Sequence, residues 1–153
     1  MIKFSYRKYD ILSGQLARAV IDKVIRRSLR NKYQNVILNI EIVDNERSQA
    51  LNLEYRGKNY PTNVISLEYP EMRDQFNMLS GDLILSHEVI VKEALEQNKL
   101  IEHHYMHMLV HGILHLQGYD HIDDKEANEM EEIEINILKT FQISNPYINL
   151  ENN

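Results

Sequence analysis

The strongest constraint on this 153-residue chain is one run, His111-Gly112-Ile113-Leu114-His115-Leu116-Gln117-Gly118-Tyr119-Asp120-His121. It closes an apolar segment, Ile101 to Gln117, whose spacing predicts a helix. Residues four apart on a helix are separated by about 6 Å along its axis and about 40° around it, so His111 and His115 project from one face. Glycine enters the left-handed region without steric cost, and Gly118 is placed to end the helix and turn His121 back toward the same point. Three imidazoles meeting there suit one divalent ion at about 2.0–2.1 Å, with the open fourth position of a catalytic zinc site. Histidines left uncoordinated on so apolar a helix would be costly. Zinc fits best, although nickel and other imidazole-favouring ions share this donor set. His103, His104 and His107, upstream on the same helix, have a weaker claim to supporting or substrate contacts, and His87 a weaker one still.

The chain has no cysteine, so a metal must sit on His, Asp or Glu. With 43% hydrophobic and 26% charged residues, the expectation is one domain over 1–153, with a frayed tail from Gln142. The N-terminus lacks the apolar run of a signal peptide, and no stretch approaches the length of a membrane helix, so a cytoplasmic location is expected. A net charge of −6 argues against coating nucleic acid by charge alone but permits a local basic cleft. Lys23, Arg26, Arg27, Arg30 and Lys32 cluster early, and Glu126, Glu129, Glu131, Glu132 and Glu134 crowd a late helix; each run reads first as a solvated face.

Alternation predicts strands at Ile2 to Tyr6 and Asn35 to Val43, and shorter ones at Asn63 to Tyr69 and Asp82 to Leu85. Helical spacing marks Leu12 to Arg30, a segment capped by Asp44 that runs through Ala50, Leu51 and Tyr55, then Ser86 to Gln97, Ile101 to Gln117 and Asp124 to Phe141. Asp123 or Asp124 caps the last. The polar stretch holding Pro70 and Gly81 reads as a loop. Early strands and late helices give an α+β class, with a small mixed four-stranded sheet packed on one side by about five helices.

The histidine spacing matches the metzincin proteases, except that Gly112 stands where they carry a general-base Glu. Peptide hydrolysis needs that carboxylate, whereas phosphoester cleavage asks less of a protein base. Leu51-Asn52-Leu53-Glu54-Tyr55-Arg56-Gly57-Lys58-Asn59-Tyr60-Pro61-Thr62-Asn63-Val64-Ile65-Ser66-Leu67, then Gly81-Asp82-Leu83-Ile84-Leu85, then the histidine run, together resemble the YbeY family of bacterial endoribonucleases, also described as rRNA maturation factors.

That resemblance implies a zincin-like fold and a zinc-dependent endoribonuclease specific for single strands, acting in 16S rRNA 3′-end maturation and ribosome quality control. Its implied partners are the 16S rRNA precursor and the small ribosomal subunit or its proteins; DNA is not expected. By residue, the zinc ligands fall on His111, His115 and His121, and the functional arginine of the family's Tyr-Arg motif on Arg56. Arg56 and His115 are then the expected catalytic residues. A guanidinium beside a phosphate would stabilise charge developing on its nonbridging oxygens. Lys58 and the Arg26, Arg27, Arg30 cluster are candidate backbone contacts. Asn59 and Asn63 stand where the family commonly has Asp, and Leu67 where it has Phe; an amide orients Arg56 or a ligand more weakly than a carboxylate does. Asp82 and Asp120 read as caps, turns or supports to a ligand. Two other readings remain: a ribosome-assembly factor acting by binding, and a zinc protease with its base elsewhere.

Overall fold

A computed structural model describes residues 1–8, 16–120 and 122–148. Its sheet runs in the order β1 (Ile2–Arg7), β2 (Asn35–Val43), β4 (Met78–Ser86), β3 (Val64–Glu68). β1 is parallel to β2 and β2 to β4, while β3 lies antiparallel to β4 as the edge strand. Six helices accompany it among the described residues: α1 (Arg18–Ser28), α2 (Asn45–Arg56), α3 (Pro70–Phe76), α4 (His87–Glu96), α5 (Ile101–Leu116) and α6 (Asp124–Lys139).

Strand alternation decides which face is covered. Val36, Leu38, Ile40 and Ile42 of β2 share one core with Leu79, Leu83 and Leu85 of β4, and with apolar residues of α1 and α5. A slip of one residue would carry Asn39 and Glu41 into that core and lose about 1.5–3 kcal/mol for each large side chain turned out, so the register is firmly held. Among the described residues the opposite face buries a small patch, in which Val43, Ile65 and Ile84 meet Leu51 of α2. Beyond it the face is polar, with Asp82 accepting from the Asn39 amide at 2.9 Å and the Tyr69 hydroxyl at 2.6 Å. The sheet is therefore covered mainly on one side, as the strand and helix order predicts.

The central element is α5, which packs on α1, α4, α6, β3 and β4 and buries every residue from His104 to Val110. Its end is a Schellman turn: Tyr119 N–H donates to Leu114 O, Gly118 N–H to His115 O, and Gly118 takes φ +96°. The Gln117 side chain fixes this end, donating to Ser28 O and accepting from Arg30 N–H.

Several expectations change. The stretch read as a loop holds α3, which starts at Pro70 and buries none of its residues, so it carries no apolar stripe to reveal it. Gly81 is a strand residue: a Cβ there would lie 2.5 Å from Leu67 O, so β3 and β4 can pair this closely only at a glycine. The first helix spans Arg18–Ser28, and 12–15 of its expected start lie outside the described residues. Asp44 caps α2 by accepting from Arg47 N–H, and Asp123 caps α6 through Glu126 N–H. Residues 142–148, expected as a frayed tail, pack back on the helices: Ile143 is buried and the Lys99 ammonium donates to Pro146 O. No helix among the described residues is long and apolar enough to cross a membrane.

Candidate metal centre

His111 and His115 project from successive turns of α5 with ring centroids 4.9 Å apart and planes at 67°. Both are partly exposed on a helix otherwise buried around them. The third expected ligand, His121, lies outside the described residues. Among the described residues alone, no three His, Asp or Glu side chains form a metal-holding group.

The chemistry of the donors is what fits an ion. His111 donates Nδ1–H to Glu134 Oε1 at 2.6 Å, which leaves the ring's lone pair on Nε2. A ligating histidine is commonly held in this way, with the carboxylate fixing tautomer and ring and raising the basicity of the donor nitrogen. Glu134 has no exposed surface. It also accepts a short hydrogen bond from the Tyr147 hydroxyl, and His107 Nε2 lies 3.2 Å from that hydroxyl and 3.6 Å from Oε1. Burial pushes the Glu134 carboxyl up, but His107 and His111 outweigh it and hold its pKa at about 2. Burial pushes His107 down, toward its neutral form. Burial and Glu134 push the Tyr147 hydroxyl up, so it keeps the proton it donates.

Glu134 belongs to the acidic run that reads as a solvated face, and the structure corrects this. It sits in register with Met130, Ile137 and Leu138, the buried stripe of α6. A carboxylate at that spacing among apolar residues was the available signal. Tyr147 lies beyond Gln142, in the expected tail, and carries no such sign.

Gly112 explains why the metzincin comparison fails here. A Cβ at this position would lie 2.3 Å from Leu83 Cδ1, a side chain with no exposed surface, and 3.1 Å from Val64 Cγ2. Ser66 Oγ donates to Gly112 O at 2.9 Å, tying helix to strand at this contact. Position 112 faces the sheet at close range, so a carboxylate has no room there.

Beside His111 opens a cleft of about 510 Å³ between α4, α5 and the C-terminal segment. His104 and His107 line it, although sequence gave them little weight. His104 Nε2 lies 3.0 Å from Glu93 Oε1, and the Asn63 amide donates to both Glu93 oxygens at 3.1 and 3.3 Å. Burial raises the Glu93 pKa, but the hydrogen bonds from His104 and Asn63 bring it below its ordinary value. An Asp at 63 would set a like charge against Glu93, so the amide suits this environment. The Asn59 Oδ1 accepts from Gln49 Nε2 at 2.9 Å.

Arg56 and Lys58 are exposed at the end of α2 and just beyond it, and neither lines the cleft. The segment they begin is tied to α2 by Asn52 donating to Tyr60 O and Ser48 to Thr62 O, and it delivers Asn63 to the cleft. Of the early basic cluster, Arg26 pairs with Asp22, and Arg27 donates to Thr140 while its guanidinium lies 4.2 Å from the Phe141 ring centroid. Those two serve the packing of α1. His87 Nδ1 lies 2.5 Å from the Tyr105 hydroxyl, His103 beside Glu102, and neither lines the cleft.

Residues 2–142 match the family model described as Endoribonuclease YbeY. The chain is similar to proteins named Endoribonuclease YbeY from Chromohalobacter salexigens, 51% identical over 110 residues covering 72% of this chain and 71% of that one, and from Francisella philomiragia, 48% identical over 119 residues covering 75% of each. One from Colwellia psychrerythraea is 47% identical over 129 residues, 84% of this chain and 83% of its own. Among solved structures, the solution structure of TM1509 from Thermotoga maritima has a similar fold, with TM-score 0.56 and 23% identity over 90% of this chain and 87% of that one.

Proposed function

Because the chain belongs to the YbeY endoribonuclease family, we propose that it is a zinc-dependent endoribonuclease that hydrolyses phosphodiesters of single-stranded RNA, with His111, His115 and His121 holding the ion. Its substrate in this reading is the 3′ end of the 16S rRNA precursor, met in the cytoplasm with the small ribosomal subunit, and its work serves rRNA maturation and ribosome quality control.

The observation that supports metal dependence is the Nδ1–H of His111 held by the fully buried Glu134. When bound, the ion supplies Lewis-acid polarisation of a phosphoryl oxygen and acidifies water. The chain's own residues do the rest. Glu134 keeps the His111 proton on Nδ1 and the ring in place, and Tyr147 and His107 keep Glu134 in place. Arg56 approaches the phosphate from the end of α2 and offsets charge developing on its nonbridging oxygens. Lys58 contacts the backbone alongside.

Purified protein should cut a single-stranded RNA, lose that activity to a chelator and regain it with zinc, and leave the same sequence uncut in a perfect duplex. Cleavage that persists at full rate after verified metal removal would overturn the reading. Restoration of rRNA processing in cells by His111→Ala would instead favour a role through binding alone.

A further inference from the structure

The cleft beside His111 is a built site rather than a surface crease. His104 and His107 line it with only 3% and 6% of their surfaces exposed, and the Nδ1 atom of each is buried without a partner among the described residues. Such placement of two imidazoles is costly for a wall with no purpose. Beside His104 stands the Glu93 carboxylate, whose Oε1 takes the His104 and nearer Asn63 contacts, while among the described residues Oε2 meets the Asn63 amide alone, at 3.3 Å. A carboxylate is an acceptor with about four lone-pair positions, so Oε2 retains capacity for a donor. Tyr147 also lines the cleft: its hydroxyl is fixed on Glu134 and its ring meets His107 edge to face at 5.3 Å, yet the residue is 43% exposed.

We infer that this cleft receives one nucleobase bearing an exocyclic amino group, taken off the single strand, with its amino edge on Glu93 and its ring against Tyr147, beside His111. The inference rests on the RNA-cleaving reading of the same centre and deepens it into base preference at one position. Unstacked bases of single strands are recognised in this way, by aromatic stacking and hydrogen bonds to their edges. Cytosine, adenine and guanine offer an amino donor to an acceptor-only group, whereas uracil offers carbonyl oxygens on either side of one N–H. The volume of about 510 Å³ accommodates a single nucleoside, and the Lys99 ammonium, already donating to Pro146 O, supplies the cation on the cleft wall.

The test is a titration of the full chain with CMP, AMP, GMP, UMP and ribose 5-phosphate, following the imidazole signals of His104 and His107 by NMR. CMP, AMP and GMP should move those signals and bind about tenfold more tightly than UMP, with ribose 5-phosphate weaker still. Glu93→Gln, whose amide can also donate, should narrow the gap between CMP and UMP. Equal binding of all five ligands, or shifts only at residues outside the cleft, would overturn the inference without any variant being made. Cleavage of single-stranded RNA measured in parallel separates the two claims. Cutting without amino-base binding removes the base pocket and leaves the nuclease, while amino-base binding without cutting does the reverse.

Discussion

His111 and Glu134 meet at 2.6 Å across the interface of α5 and α6, with the carboxylate wholly buried and the imidazole partly exposed. One group is held in the core so that the other can be aimed outward. Replacing Glu134 by Ala removes the acceptor of His111 and Tyr147 together. Metal affinity should fall about 10–100-fold, and stability by about 1–3 kcal/mol for each polar group left buried and unmatched. Competition against a chromophoric chelator, paired with a urea midpoint, measures both. An unchanged affinity in a folded variant would mean that the carboxylate only fills space.

Gly112→Ala tests the close approach of α5 to the sheet. Alanine in a helix interior is favoured over glycine by about 1 kcal/mol, but the new Cβ would press on Leu83 at 2.3 Å. Overpacking of about 1–3 kcal/mol should win, and the urea midpoint should drop. A variant more stable than the parent would show that Leu83 yields freely.

Acid should destabilise the metal-free protein in two stages. His107 has a folded pKa below its ordinary value of about 6.5, so its neutral form contributes fully above that pH and the contribution fades as pH falls. Glu134, held at about 2 against an unfolded value of about 4.5, contributes fully above about 4.5 and loses its share as pH falls toward 2. Urea midpoints of the metal-free protein should therefore decline with falling pH, and Glu134→Gln should flatten the lower stage. A midpoint that rises from pH 6.5 to 4.5 would contradict the first sign, and one that rises from pH 4.5 to 2 the second.

Arg56→Ala should lower kcat for RNA cleavage by about two orders of magnitude while metal content stays at one ion per chain. Arg56→Lys should recover little, because a point charge does not reproduce the planar fork. If KM rises and kcat holds, Arg56 binds the strand without acting on the transition state.

Much of the frame can be read from residue order. The span Asn35–Val43, the Asp44 cap and the extent of α5 follow from alternation, a capping side chain and an apolar run, all local signals. What escaped either carries no local pattern or depends on contacts between distant segments. Pro70–Phe76 buries nothing, so its helix has no stripe, and Gly81 resembles a loop residue until Leu67 O is seen against it. At the site, His111 and His115 stand out by spacing alone. Glu134 is masked by the acidic residues around it, and Tyr147 is more than thirty residues from the histidine it supports.

The most direct test of the central claim is the zinc K-edge absorption spectrum of the protein loaded with one zinc per chain. The account predicts three imidazole nitrogens at about 2.0–2.1 Å with one further light atom, and two imidazoles in His115→Ala. A shell of carboxylate and water oxygens, or a spectrum unaltered by His115→Ala, would contradict it.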